Sequence, residues 1–147
     1  IRRSSTFEGE ASMALQFAAE KFSREPFGTY EPMEKLTAEK EGRIMLCTQA
    51  LVKRLCDGVQ NGEVKNRLAY EFHSLLADMT AQACKIISER TGVKTCALSG
   101  GVFQNKLLLK MVKCRLEKMG LRVLIHSLVP ANDGGIALGQ AFYLNEE

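Results

Sequence analysis

The apolar residues of the chain follow two kinds of pattern, and the first is a repeat of three or four positions, typical of a helix that buries one face. This repeat predicts helices over 6–22, over 37–57, and from the segment after Asn61-Gly62 to Arg90. The third helix carries the longest apolar face in the chain. A polar stretch over 23–32, which contains two prolines and a glycine, is predicted to be a loop.

The second pattern consists of short apolar runs over 93–98 and 121–125, with a helical repeat over 106–119 between them. Two strands joined by a helix predict a parallel pair with a right-handed crossover, and ligands of such sheets gather at the carboxyl ends of the strands. An apolar helix is predicted over 136–144. We therefore expect one α/β segment over 1–147, helical in its first 91 residues and strand–helix–strand–helix in the rest.

Composition and charge narrow the class of protein. The chain has 147 residues, of which 46% are hydrophobic and 25% charged, and this suits a single globular unit. Its net charge of +3 comes without a cluster of lysine and arginine, so nothing indicates a nucleic-acid partner. The chain has no apolar run of about 18 residues and no secretion signal, so we expect no membrane partner and a cytoplasmic location.

Five cysteines without a Cys-x-x-Cys pair are expected to be buried free thiols in a reducing compartment. The chain begins with Ile1 and lacks an initiator methionine, which fits a segment of a longer protein.

Paired glycines stand at both predicted strand-to-helix junctions. Gly100 and Gly101 follow the first strand, and Gly134 and Gly135 precede the last helix. Glycine at such a place lets a ligand such as a nucleotide approach the backbone, but a purely structural turn remains an alternative, because Ser-Gly-Gly matches no known phosphate or dinucleotide loop. Asn105, just beyond, could cap the next helix or bind a base or ribose.

Asp133 is the candidate metal ligand. It precedes a predicted helix, so its carboxylate could cap that helix or bind a divalent cation beside a phosphate. His73 and His126 form no His-x-x-x-His pair and are expected to be structural. Ser99 has no base that the sequence reveals, so no Ser/His/Asp constellation is predicted.

Three stretches together carry a resemblance to a known family. They are ALSGGVFQNKLLL from Ala97, HSLVPANDGGIALGQAFYL from His126, and TFEGEASMALQFAAE from Thr6. The first two resemble the C-terminal portion of the HypF hydrogenase-maturation carbamoyltransferases. The third is similar to that family's Tyr-Glu-Gly-Gln-Ala-Ala helix, with Phe7 in place of tyrosine and Glu10 in place of glutamine.

The resemblance implies the C-terminal half of an actin-like ATPase (ASKHA) fold, helix-rich with a short parallel sheet and incomplete as a domain. The fold is shared with sugar kinases and with the tRNA-modifying enzyme TsaD. It also implies transfer of a carbamoyl group from carbamoyl adenylate to the C-terminal cysteine of a HypE-type acceptor protein. Carbamoyl phosphate and ATP are the implied substrates of the full-length enzyme.

The resemblance assigns roles to individual residues. Gly100 and Gly101 match nucleotide-contacting glycines, and Asn105 matches an asparagine near the adenosine. Asp133 matches a carboxylate that helps to hold a divalent metal, which could be iron, zinc or magnesium. Glu8 and Gly9 are expected to border the pocket, and no catalytic residue is identified.

The chain also departs from the family pattern, because the histidine pair of the metal site and the phosphate-binding first lobe are missing. We therefore expect a fragment that is inactive alone, in which the two glycine corners face one crevice. Two other hypotheses remain open. One is a carbamoyltransferase that acts on small-molecule hydroxyls or on tRNA, and the other is a non-catalytic helical interaction module.

Overall fold

The computed structural model describes residues 4–22 and 36–144. Its longest element is a helix of 27 residues, α3 (Lys65–Thr91). Three shorter helices pack on it, namely α1 (Glu10–Phe22), α2 (Thr48–Gln60) and α4 (Lys106–Lys118). The helix with the longest apolar pattern is therefore the one that organises the others. The predicted loop over 23–32 lies outside the described residues.

A β-hairpin replaces the first half of the second predicted helix. Strand β1 (Thr37–Lys40) pairs antiparallel with β2 (Arg43–Leu46), so the prediction of a helix over 37–46 is wrong. Glu41 and Gly42, the two residues between the strands, have positive φ angles of 52° and 73°. Two consecutive residues of this kind form the tight turn that matches the twist of paired strands. Helix α2 consequently begins only at Thr48.

A two-stranded parallel sheet confirms the predicted strand–helix–strand unit. Strand β3 (Thr95–Leu98) pairs with β4 (Arg122–Ile125), and α4 forms the crossover between them. Leu98 is paired with Ile125, so both strands end at the same edge of the sheet. The apolar helix expected at the end is confirmed as α5 (Ile136–Leu144), and all its residues are exposed.

The main hydrophobic core lies between α3, α4 and β3. Its buried members are Ala77, Ala81, Leu98, Leu108, Met111, Val112, Leu116 and Leu121. Two alanines one helical turn apart on α3 leave room for the larger side chains of α4. A second cluster of Leu51, Leu75 and Met79 fills the space between α2 and α3.

Two arginines tie the shorter helices to α3. Arg115 on α4 bonds to the carboxylate of Asp78 and, at 2.7 Å, to the Ser74 hydroxyl. Arg54 on α2 bonds through Nε and Nη2 to both carboxylate oxygens of Glu71, each at 2.9 Å. Side chains on α3 thus fix the positions of α2 and α4 by directional bonds as well as by apolar contact.

All five cysteines are free, as the sequence predicts, but none is fully buried. Cys56 and Cys114 are exposed, because each lies on the outer side of its amphipathic helix. Cys84 and Cys96 are half-buried beside the main core. Burial, together with the neighbouring Cys96 thiol, raises the pKa of Cys84 to about 11, so this thiol stays protonated at neutral pH.

Within residues 4–22 and 36–144, no helix has the combination of length and apolar content that crossing a lipid bilayer requires.

Candidate functional site

The loops that leave the two parallel strands meet at the edge of the sheet. The amide nitrogen of Gly100, after β3, donates a hydrogen bond of 2.8 Å to the carbonyl oxygen of Ala131, after β4. The Cβ position of Gly101 would lie 3.9 Å from the Cβ of Asn132. The expected meeting of the two glycine-containing corners is therefore found, and it places Asp133 two residues beyond the bonded carbonyl.

Gly100 and Gly101 differ in why they lack a side chain. Gly100 has φ 100° and ψ 157°, a conformation that is essentially restricted to glycine. Gly101 has no positive φ, and a Cβ there would only reach ordinary contact distance. The described fold requires glycine at position 100 but not at position 101. An exposed residue that is bare without a structural need suits the close approach of a ligand.

The second glycine pair is crowded by its own loop. A Cβ on Gly134 would lie 3.1 Å from Cγ of Pro130, and one on Gly135 would lie 3.0 Å from the Pro130 carbonyl oxygen. Both glycines therefore have a structural reason to be present, since the turn folds back on Pro130. Of the two glycine pairs, the one after β3 carries the stronger indication of a ligand.

Asp133 does not cap the helix that follows it. The side-chain oxygen of Asn132 accepts a 3.1 Å hydrogen bond from the amide of Gly134, and it caps the single 3-10 turn over Asp133–Gly135 that leads into α5. Asp133 is exposed, and no described residue hydrogen-bonds to its carboxylate. The capping alternative for this carboxylate is therefore wrong, and its oxygens remain available to a ligand.

One carboxylate is a poor metal site on its own. Among the described residues, no group of three or more His, Cys, Asp or Glu side chains could hold a metal ion. Divalent cations in proteins take several oxygen or nitrogen ligands. The described part of the chain therefore does not fit a metal without further ligands, and Asp133 could supply only one of them.

Asn105 uses its side chain within the fold. Its Oδ1 accepts a 3.0 Å hydrogen bond from the amide of Leu108 and so caps α4, and its Nδ2 lies 2.8 Å from Nε2 of His73. Capping and ligand binding were alternatives for this residue, and the structure confirms the cap. Asn105 as a whole is half-buried.

His73 is structural, as the sequence predicts, but its partner was not foreseen. The side chain is 1% exposed, and burial lowers the pKa of the imidazole. Its Nδ1 lies 2.7 Å from the carbonyl oxygen of Ala69, one turn earlier in α3. This residue connects the interior of α3 to the loop that carries the glycines.

A serine–histidine pair that the sequence did not reveal lies at the same edge. Nε2 of His126, the residue after β4, is 2.8 Å from Oγ of Ser99, the residue after β3. Both side chains are exposed, and they continue the register of the two strands by one position. Only the parallel pairing of β3 and β4 brings together residues 27 positions apart.

Glu8 and Gly9 lie in the turn before α1. The Gly9 carbonyl accepts a hydrogen bond from the Met13 amide, and Thr6 bonds to the carboxylate of Glu10 through its amide at 2.6 Å and its hydroxyl at 3.0 Å. These bonds secure the start of α1, and they link neither Glu8 nor Gly9 to the strand-end loops.

An open apolar depression of about 310 Å³ lies on α2, lined by Leu55, Cys56, Val59 and Gln60. None of these residues belongs to the strand-end loops.

Curated relatives of the chain are HypF proteins. A probable carbamoyltransferase HypF of Methanocaldococcus jannaschii is 30% identical over 135 residues, which are 92% of this chain and 16% of that protein. The carbamoyltransferase HypF of Rhodobacter capsulatus is 40% identical over 80 residues, or 54% of this chain and 11% of that protein. This chain therefore spans less than a fifth of the length of either relative.

Two crystal structures share the fold. Full-length HypF in the phosphate- and nucleotide-bound form matches 99% of this chain with a TM-score of 0.83 and 29% identity. HypF of T. kodakarensis matches the same share with a TM-score of 0.76 and 29% identity. In both cases this chain corresponds to 18% of the larger one.

A family model described as the second subdomain of the Kae1-like carbamoyltransferase domain matches residues 1–140. This match covers both strand-end loops, and it agrees with the sequence relatives and with the shared fold. The chain belongs to the HypF family, as the second subdomain of the Kae1-like carbamoyltransferase domain.

Proposed function

We propose that this chain forms the nucleotide-facing half of the carbamoyl-transfer site of a HypF-type carbamoyltransferase. The observation that carries the proposal is Gly101, an exposed residue that is bare although neither its backbone angles nor its neighbours require it. It lies where the ends of two parallel strands meet, which is where ligands of such sheets bind. A HypF crystal structure of the same fold is in a phosphate- and nucleotide-bound form, which supports nucleotide binding by the longer protein.

Gly100, Gly101 and Asn105 are the proposed nucleotide-binding residues. The backbone at Gly101 admits the ligand closely, and the donor and acceptor of the Asn105 amide that its bonds to His73 and Leu108 leave unused offer hydrogen bonds to the adenosine. Gly100 holds the loop in place through its bond to Ala131. The proposed nucleotides are ATP and the carbamoyl adenylate derived from it.

The proposed reaction is acyl transfer. A thiolate of the acceptor attacks the carbamoyl carbon, a carbon–sulfur bond forms, and the bond from that carbon to the adenylate phosphate oxygen breaks. AMP leaves with the electron pair of that bond, and the thiol proton passes to solvent or to a base. The proposed acceptor is the C-terminal cysteine of a HypE-type protein in hydrogenase maturation, and carbamoyl phosphate and ATP are the proposed substrates of the longer enzyme.

Asp133 is proposed as one oxygen ligand of a divalent cation whose other ligands lie elsewhere in a longer polypeptide. Its exposed carboxylate, which no described residue binds, supports this role. The cytoplasm is the proposed location, because all five cysteines are free thiols, as in a reducing compartment.

Calorimetric titration with ATP tests the proposal in a polypeptide of the length of the HypF relatives. We expect saturable binding that Gly101→Asp abolishes, since the new carboxylate would occupy the ligand's position and repel its phosphates. Gln60→Asp is the matched control, because it adds the same charge at an exposed position at the end of α2, outside the strand-end loops. Absence of ATP binding by the folded wild-type protein would instead favour a non-catalytic interaction module.

The identity of the acceptor is tested separately by supplying carbamoyl phosphate, ATP and a candidate acceptor. Mass spectrometry should detect a gain of about 43 Da on the cysteine of a HypE-type protein, because a carbamoyl group replaces one hydrogen there. The same mass on a small-molecule hydroxyl, or modification of tRNA, would support the other carbamoyltransferase hypotheses.

A further inference from the structure

The hydrogen-bond partner of His73 fixes which of its two ring nitrogens carries the proton. A backbone carbonyl oxygen can only accept, so Nδ1, which lies 2.7 Å from the Ala69 oxygen, must be the nitrogen that donates. The side chain is 1% exposed, and its burial favours the neutral ring. A neutral imidazole has one N–H group, so Nε2 of His73 is an acceptor.

The orientation of the Asn105 amide follows from this tautomer. The group that lies 2.8 Å from the His73 Nε2 acceptor must be a donor, and it is therefore Nδ2 of Asn105. The other end of the amide leads independently to the same result, because the Leu108 amide can only donate and it lies 3.0 Å from Oδ1. Two contacts on opposite sides thus require the same orientation.

The two contacts leave part of the amide unused. An asparagine side chain has two hydrogens on nitrogen and two lone pairs on oxygen. His73 takes one hydrogen and Leu108 takes one lone pair, so one donor and one acceptor remain on the half-buried Asn105. One donor with one acceptor complements adenine, whose amino group donates while its ring nitrogens accept. On the edge of the base that carries N7, guanine fits this pair less well, because its O6 and N7 both accept.

We propose that His73 is a positioning residue of the nucleotide site, which holds the Asn105 amide in the one orientation that presents a donor and an acceptor to an adenine nucleotide. This inference rests on the proposed function. His73 does not touch the ligand itself, because it is buried in α3 behind Asn105. Its role is to prevent the amide from turning over and exchanging its donor and acceptor.

Titration with ATP and with GTP tests the proposal in a polypeptide of the length of the HypF relatives. His73→Leu removes the acceptor and keeps an apolar side chain, and we expect ATP to bind roughly tenfold more weakly, as for the loss of about one hydrogen bond. The ratio of ATP to GTP affinity should fall as well. His73→Gln places an amide oxygen near the former Nε2 position and should restore ATP affinity to within about twofold.

Leu75→Ala is the control for a purely structural effect. Leu75 is buried on the same helix, but it packs in the cluster with Leu51 and Met79 rather than against Asn105. This variant should lose stability and keep the ATP affinity and the nucleotide preference of the wild type. If His73→Leu kept the ATP affinity and the nucleotide preference of the wild type while Gly101→Asp still abolished ATP binding, that result would overturn the role of His73 but not the nucleotide site. Absence of ATP binding by the wild type would overturn the proposed function itself.

Nitrogen NMR of the wild-type protein keeps the test decisive if His73→Leu does not fold. We expect the His73 ring to be neutral, with the proton on Nδ1 and an acceptor shift at Nε2. A proton on Nε2 would overturn the proposal, because that nitrogen could then no longer orient the amide.

Discussion

Nε2 of His126 lies 2.8 Å from the hydroxyl oxygen of Ser99, one residue beyond the paired ends of two parallel strands. A second bond, from the Gly100 amide to the Ala131 carbonyl, joins the same two loops. The side-chain pair and the backbone bond together fix how the glycine loop after β3 sits against the loop that carries Asp133.

The coupling between Ser99 and His126 should be small but measurable. Each of Ser99→Ala and His126→Ala removes one exposed hydrogen bond, so we expect each to lower the free energy of unfolding by less than about 1 kcal/mol. The double variant should lose less than the sum of the two, with a coupling energy of about 0.5 kcal/mol. Urea unfolding of the four proteins measures it, and strictly additive losses would show that the pair makes no bond in solution.

Alanine should destabilise the protein at position 100 but leave its stability almost unchanged at position 101. Gly100→Ala forces a side chain into a glycine-only conformation, so we expect a loss of about 1–3 kcal/mol in the free energy of unfolding. Gly101→Ala meets no such strain and should change stability by less than about 0.5 kcal/mol. Chemical denaturation compares the two, and ATP titration should show weaker binding for Gly101→Ala despite its unchanged stability.

The opposite ranking would contradict the structure. A large loss of stability in Gly101→Ala would mean that the fold itself needs glycine there, and Gly101 would then no longer indicate a ligand at this position.

The helices that one-sided apolar patterns predict are those that pack on a core. The apolar face of α3 covers most of its length, so its limits could be predicted to within a few residues from the sequence. The hairpin could not be predicted from the sequence, because β1 and β2 have four residues each and their apolar positions also fit a helical repeat. The Glu41-Gly42 dipeptide was the local signal that could have indicated the turn.

The position of the candidate site followed from the sheet, since parallel strands end at one edge. The contacts within it did not follow, because Ser99 and His126 are 27 residues apart and His73 and Asn105 are 32 apart. No local pattern connects such residues before helix and strand packing is known. The cap by Asn132 in place of Asp133 depends on backbone angles that neighbouring asparagine and aspartate do not distinguish in sequence.

The burial of His73 should make the protein less stable in mild acid. Burial lowers the pKa of its imidazole below the ordinary 6.5, so the unfolded chain binds a proton more readily than the folded one. Stability should therefore be complete above pH 6.5 and should fall as the pH drops below that value, by at most about 1.4 kcal/mol per pH unit. Urea unfolding at several pH values measures the slope.

His73→Gln is the control for this slope, since glutamine does not titrate. The variant should lose the pH dependence just below pH 6.5. An equal slope in the variant would assign the effect to other groups. Glu71 is a separate contributor, because burial raises the pKa of its carboxyl above 4.5, which favours the folded state as the pH falls and therefore acts in the opposite direction.

Removal of the partner of Glu71 should be among the most damaging changes outside the core. The Glu71 side chain is 2% exposed, and Arg54 binds both of its oxygens. Arg54→Met leaves the carboxylate buried without this guanidinium, so we expect a loss of about 3–5 kcal/mol in the free energy of unfolding. Adding Glu71→Gln to this variant should restore part of the loss, because an amide is less costly to bury than a charge.

Glu117→Gln is the matched control for a charge pair on the surface. Oε1 of Glu117 lies 3.8 Å from Nζ of Lys113, one turn earlier in α4, and both side chains are about half exposed. Exposed pairs of this kind contribute about 0.3–0.5 kcal/mol to stability. In thermal and urea unfolding, the loss in the free energy of unfolding should therefore be several kilocalories per mole larger for Arg54→Met than for Glu117→Gln. A loss in Arg54→Met as small as that in Glu117→Gln would mean that water reaches Glu71 once Arg54 is gone, and that the buried carboxylate does not depend on its partner to hold α2 against α3.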